Sequence, residues 1–254
     1  MLDEKPVRRL AWKACYNVRD LGGYETADGR QVRWRALLRA DDLCRLTPEG
    51  QQALVTYGVR TIIDLRSPSE RAVAPHPFAA GAPHAPVHHA LSLFDEEDVA
   101  AMAALAAAQN NGAFYCAVLD IFRARVGAVV RAVAEAPEGG VLVHCFAGKD
   151  RTGIVAALAL ALAGVPRETI AADYALSDSY LQPLYDELLA LVDDPAERER
   201  RALQYRSPPA SILAVLDHLD VRYGGVAAYL RAAGVTDEQL ERIRVRLVEG
   251  GHTG

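Results

Sequence analysis

Val141-Leu142-Val143-His144-Cys145-Phe146-Ala147-Gly148-Lys149-Asp150-Arg151-Thr152-Gly153-Ile154 is the stretch that decides how this chain is read. A short apolar run leads in, and a longer one, Ile154 to Leu162, leads out. That pattern predicts a strand, a tight loop and a helix, with Cys145 at the loop's start and Arg151 at its end. The amides of the loop, the N-terminus of the helix and the Arg151 guanidinium can converge on one point. Such a point suits a dianion, a phosphate or sulfate ion, with a thiol beneath it. With 4 Cys, 7 His and 19 Gly among 254 residues, the same His, Cys, Gly and Arg spacing arises by composition in roughly one chain in a thousand.

Outward from the loop, Leu46-Thr47-Pro48-Glu49 opens a helix, with Thr47 as N-cap, and Gly58 closes it. Val59 to Leu65 reads as a buried strand and Val87-His88-His89 as another, while Ala27-Asp28-Gly29 marks a hairpin turn. Residues 94–109, acidic then alanine-rich, predict a short helix that Asn110-Asn111-Gly112 stops, and residues 113–135 one amphipathic helix. After Val165-Pro166 the chain reads as helices only: to about Tyr180, then 182–192, 208–222, 225–232 and 236–248. Asp193 to Arg201 is a charge run that reads as a solvated helix turn or linker. Strands alternating with helices early and helices alone later predict an α/β fold, a central mostly parallel sheet of about four to five strands flanked by helices, with a helical C-terminal region.

The length fits one domain over residues 1–254. Residues 10–165 hold the sheet and the loop, 166–250 the helical part, and 90–112 a segment able to serve as a lid. A net charge of −5 argues against a nucleic-acid partner, whose footprint would be basic. No apolar run reaches the length of an integral membrane segment, and no signal peptide is visible in residues 1–9. Cys15, Cys44, Cys116 and Cys145 have neither zinc-site nor disulfide spacing, so a cytoplasmic location is expected, with leaderless secretion left open. Lysine is scarce: Lys5, Lys13 and Lys149 stand against 25 arginines. One of three lysines inside the loop is read as a specific placement.

The loop implies a chemistry. A cysteine attacks only as thiolate, and the amides, helix N-terminus and Arg151 around Cys145 favour that form. Cys145 displaces the leaving oxygen of a bound phosphate monoester, and water hydrolyses the resulting thiophosphate. Donors fixed in the loop stabilise the spread charge of the transition state, with no metal or cofactor required. Phe146, Ala147, Gly148, Lys149 and Thr152 are the substrate-binding candidates, and Thr152 can donate its hydroxyl to the sulfur. The leaving oxygen needs a proton, for which Asp150, Asp64, Asp95 and Asp98 are candidates.

His144-Cys145, then five residues to Arg151-Thr152-Gly153, resembles the signature of the cysteine-dependent protein tyrosine phosphatases. With Lys149 and Asp150 the loop is similar to that of an atypical bacterial subgroup. The likeness includes Asn17-Val18-Arg19-Asp20-Leu21-Gly22-Gly23-Tyr24, Leu38-Arg39-Ala40-Asp41-Asp42-Leu43, Ile63-Asp64-Leu65-Arg66-Ser67-Pro68-Ser69-Glu70, Asp173-Tyr174-Ala175-Leu176-Ser177 and Tyr223-Gly224-Gly225-Val226. It implies a dual-specificity-phosphatase-like fold and a phosphotyrosine protein or phosphoinositide substrate, with phosphoserine and phosphothreonine within the family's range. It also implies Asp150 as general acid, and a lid of which 94–109 is a reduced version. Phe146 departs from the lipid-phosphatase loops that carry a second lysine there. A rhodanese-like sulfurtransferase and a silent phosphate-binding module are the competing readings.

His144 is read as ordering the loop. Asp64 with Arg66, and Arg19 with Asp20, are candidate supports for it. His76, His84, His88 and His89 show no metal-ligand spacing, and adjacent His88 and His89 should face opposite sides of a strand.

Overall fold

The computed structural model describes residues 7–81 and 84–249. Five strands form one sheet: β1 (Arg19–Asp20), β2 (Leu37–Ala40), β3 (Val59–Asp64), β4 (Val87–Ala90) and β5 (Gly140–His144). Their order is β1-β2-β5-β3-β4, with β1 antiparallel to β2 and every other pair parallel. The expected α/β class and mostly parallel sheet are therefore present.

Alternation along the strands sorts the core into two faces. Leu38, Ile62 and Leu142 pack with Trp12, Leu43, Leu54 and Val59 beneath α1 (Pro48–Tyr57). Leu37, Ile63, Val141 and Val143 join the larger core on the other face. Parallel pairing sets Ala40 and Asp64 against His144 on either side. Three strand ends thus open at one edge, the usual crevice for a ligand in an open parallel sheet.

The remaining helices are α2 (Pro68–Val73), α3 (Val99–Ala106), α4 (Asn111–Ile121), α5 (Arg123–Glu135), α6 (Asp150–Leu162), α7 (Arg167–Ala190), α8 (Pro195–Tyr205), α9 (Pro209–Tyr223), α10 (Val226–Ala232) and α11 (Asp237–Leu247). α6 is apolar on all sides because it is enclosed on all sides, touching β5, α5, α7, α9, α10 and α11. Among the described residues no helix is long and apolar enough to cross a membrane.

Three expected boundaries are corrected. Asn110 does not stop a helix but caps α4, accepting from Ala113 N at 2.9 Å, and the expected 113–135 helix breaks at Phe122. The break lets α4 pack on α9 while α5 packs on α11. The expected interruption near residue 181 is absent: α7 runs through Pro183. Proline removes one helical hydrogen bond, but Leu181, Leu184 and Tyr185 bury the adjoining face in a local cluster with Tyr16 and Tyr205. The 193–201 charge run becomes most of α8, which has no buried residue.

Candidate active site

Cys145 follows β5 directly and is 2% exposed; α6 begins at Asp150. The turn between them depends on Gly148, whose φ is +63°. A Cβ there would lie 2.3 Å from the Ala40 carbonyl oxygen and 2.6 Å from Asp41 N. Only glycine lets the loop lie this close to the end of β2.

The loop's carbonyls are pulled to one side. Asn17 Nδ2 donates to Ala147 O at 3.0 Å and to Gly148 O at 3.1 Å. Arg39 NH2 donates to Gly148 O at 2.7 Å and to Lys149 O at 3.4 Å. A planar peptide turns its N–H opposite its carbonyl. The amides of residues 146–149 donate to no acceptor among the described residues. Together with the first amides of α6 they form a cradle of unused donors.

Both loop supports are themselves held. Asp41 accepts from Asn17 N at 2.9 Å. Asp173 bridges two buried arginines, Arg19 Nε at 2.9 Å and Arg39 NH1 at 2.7 Å. Burial alone would raise the Asp173 carboxyl, but Arg19 and Arg39 hold it well below the usual carboxylate range.

Arg151 leaves α6 at its second residue and meets Glu70 with both terminal nitrogens, NH2 at 2.7 Å and NH1 at 2.5 Å. NH1 also donates to Leu65 O at 3.3 Å, and the Phe94 ring lies 5.2 Å from the guanidinium carbon. Burial opposes its charge, but the Glu70 pair and nearby Cys145 raise its pKa. Glu70 is fixed in turn: it completes the capping box of α2, accepting from Ser67 N at 2.7 Å. The Nε–H and the outer NH2 hydrogen of Arg151 meet no acceptor among the described residues, which leaves one edge of the fork for an anion.

The other expected site residues separate into groups. Asp64 and Arg66 pair as expected, NH2 to Oδ2 at 2.8 Å, with Arg66 also 3.1 Å from Asp42. His144 is fully buried, its Nδ1 3.3 Å from Cys145 O and its Nε2 3.7 Å from Asp64 Oδ1. Burial lowers its pKa to about 4. Arg19 and Asp20 do not pair with each other. Arg19 supports the loop through Asp173, whereas Asp20 clamps the following turn, accepting from Gly22 N, Arg35 N and Tyr57 OH. Thr152 is buried, but its Oγ1 bonds to no described residue, so the expected donation to the sulfur is not made. Lys149 was expected toward the phosphate. Its ammonium instead donates to the carbonyls of Gln204 at 2.7 Å and Arg206 at 3.1 Å, at the end of α8. Of the other acid candidates, Asp95 pairs with Arg125 and Asp98 caps α3. His84 and His89 take no part in the site. His76 and His88 stack at 4.2 Å, with His144 5.1 Å from His76, because the register places His88, Asp64 and His144 on one sheet face.

Beside the cradle lies a cavity of about 500 Å³ whose wall includes Phe146, Lys149, Asp150, Phe114, Tyr185 and Tyr205. α3 contributes Leu105 and Ala106 to its rim. Asn17, Arg39, Glu70, Asp173 and Tyr115 all bear on the loop without having been assigned a role from sequence. Glu70 carried a local structural signal, the Ser67-x-x-Glu70 capping box, and Asn17, Arg39 and Asp173 lie in stretches that carry the family likeness without a stated role.

A cysteine under a ring of free amides, with an arginine at the exit, defines a phosphatase of the cysteine-dependent class. Residues 10–249 match the tyrosine phosphatase family, and the chain belongs to it. It is similar to a tyrosine-protein phosphatase of Nostoc commune, 33% identical over 223 residues, which are 85% of this chain and 75% of that one. It is also similar to the triple specificity protein phosphatase PtpB of Mycobacterium tuberculosis, 28% identical over 269 residues, covering 91% of this chain and 95% of that protein.

Proposed function

We propose that this phosphatase acts on phosphotyrosine in proteins, with Cys145 as nucleophile, Arg151 as phosphate clamp and Asp150 as general acid. The observation that carries it is the cradle: amides of 146–149 and one edge of Arg151, all without described partners, around a nearly buried cysteine. A phosphate there accepts from the amides and from the free edge of Arg151. Cys145 attacks in line, and the same donors hold the charge of the transition state and of the thiophosphate that follows.

The cavity argues for an aryl ester. Its aromatic wall accepts a planar ring, and its one lysine is already committed to two carbonyls. A multiply phosphorylated inositol head would meet no second free cation there among the described residues. α3 forms one wall and serves as the reduced lid. The four free cysteines fit a cytoplasmic setting.

Purified protein should hydrolyse p-nitrophenyl phosphate in the presence of EDTA, and phosphotyrosine peptides faster than phosphoinositides. Turnover surviving in Cys145→Ser would refute the mechanism. A faster rate on bisphosphorylated inositides would move the substrate to lipid.

A further inference from the structure

Asp150 is gripped by one of its two carboxylate oxygens. Oδ1 accepts a hydrogen bond from the Tyr115 hydroxyl and lies 3.4 Å from the Lys149 ammonium. Oδ2 receives no hydrogen bond from any described residue. Tyr115, on α4, is fully buried, and its hydroxyl is 2.7 Å from that of Tyr174 on α7, which is 1% exposed. Three helices therefore meet in a line of oxygens that ends on the loop aspartate.

The direction of that line follows from counting hydrogens. A phenol carries one. Facing a carboxylate oxygen, Tyr115 must donate it to Oδ1, so the bond between the two phenols is donated by Tyr174. Burial first, and then the charge of Asp150, hold both phenols well above the ordinary tyrosine value, so both keep their hydrogens. Lys149 completes the grip by its charge, 3.4 Å from Oδ1, while its hydrogen bonds go to Gln204 O and Arg206 O.

We propose that Tyr174, Tyr115 and Lys149 form a positioning set that keeps Oδ1 of Asp150 an acceptor and so places the acidic proton on Oδ2, the oxygen free to meet the substrate. This rests on the reading of Asp150 as general acid. In the first step the Cys145 sulfur forms its bond to phosphorus as the bond to the leaving oxygen breaks. The electron pair goes to that oxygen, which takes the proton from Oδ2. In the second step water attacks phosphorus, the bond from sulfur breaks with its electron pair returning to Cys145, and Oδ2 takes the water's proton. Oδ1 keeps the same partners throughout, so the acid returns to one geometry in every cycle. Neither tyrosine lines the cavity beside the loop, so neither acts by touching substrate.

Aryl phosphates of graded leaving-group acidity, turned over by the full chain, test this. Tyr115→Phe keeps the ring and removes the hydroxyl. The expected result is a loss in kcat/KM of about tenfold for phenyl phosphate and less than about threefold for p-nitrophenyl phosphate, with inhibition by vanadate held within about twofold. In an Asp150→Asn background the same substitution should add no further dependence on the leaving group. Equal losses on both substrates, or full additivity with Asp150→Asn, overturn the proposal. Tyr174→Phe should show the same pattern at smaller amplitude, and it decides the matter if Tyr115→Phe does not fold. Should Asp150→Asn itself show no leaving-group dependence, it is Asp150 as acid that fails. If Asp150→Asn shows it and both tyrosine variants do not, the positioning alone fails.

Discussion

Asp173→Asn tests how the phosphate loop is held from behind. In the folded protein the Asp173 carboxylate faces Arg19 and Arg39, all three at most 1% exposed. Asparagine keeps the shape but removes the charge, and its amide can present an acceptor to only one guanidinium. Arg19 retains the Asp173 carbonyl at 2.8 Å and Ser177 Oγ at 3.2 Å. Arg39 loses its only carboxylate partner among the described residues and keeps the loop carbonyls. Burial and the neighbouring Arg19 already push Arg39 down to about 10, with Asp173 as the counterweight. Breaking one buried pair typically costs about 3–5 kcal/mol, and retained shape and hydrogen bonds place the expected loss near 3. Urea unfolding followed by tryptophan fluorescence measures it, and p-nitrophenyl phosphate turnover should fall as Arg39 loosens its hold on Gly148. Because the folded carboxyl is held well below its unfolded value, its contribution is complete above about pH 4 and vanishes as pH falls further. Parent and variant stabilities should therefore converge in acid. A loss below about 1 kcal/mol with full activity would refute the reasoning, since the bridge would then be dispensable.

Gly148→Ala forces a Cβ against the Ala40 carbonyl in a left-handed backbone; a destabilisation of about 3 kcal/mol and loss of most activity are expected, checked by thermal unfolding and turnover. Glu70→Gln should lower kcat/KM about tenfold by freeing the Arg151 fork to wander. Tighter vanadate binding in that variant would show instead that Glu70 competes with the phosphate. Burial lowers His76 to about 2 and His144 to about 4. Their stabilisation is thus whole above the unfolded value of about 6.5 and falls away as the pH drops through the 6–4 range, by roughly 1.4 kcal/mol per pH unit for each proton excluded. His76→Phe should flatten the slope of urea stability between pH 7 and pH 5; an unchanged slope would remove His76 from the account.

The sequence alone determined the reaction class, because the phosphate loop is local. Strand, cysteine, glycine turn, arginine and helix are contiguous, so spacing and backbone preference suffice to place a thiol, amides and a guanidinium together. Two inner strands were legible for the same reason, since Val59–Asp64 and Gly140–His144 are short apolar runs with punctuated ends, whereas Arg19–Asp20 and Leu37–Ala40 were not read as strands. The helix limits at Asn110, Phe122 and Pro183 were not, because packing against α9, α11 and the residue 181–185 cluster overrode local signals. Which residues hold the loop was decided only by the tertiary structure. Asn17, Arg39 and Asp173 are 17, 39 and 173 positions along the chain yet meet behind Gly148, and no local pattern encodes a contact across that separation. The same holds for Lys149. Its rarity marked it in the sequence, but only the fold, by bringing the end of α8 beside the loop, turned its ammonium to Gln204 and Arg206. A buried ammonium must find acceptors, and which acceptors lie within reach is a property of the packed chain.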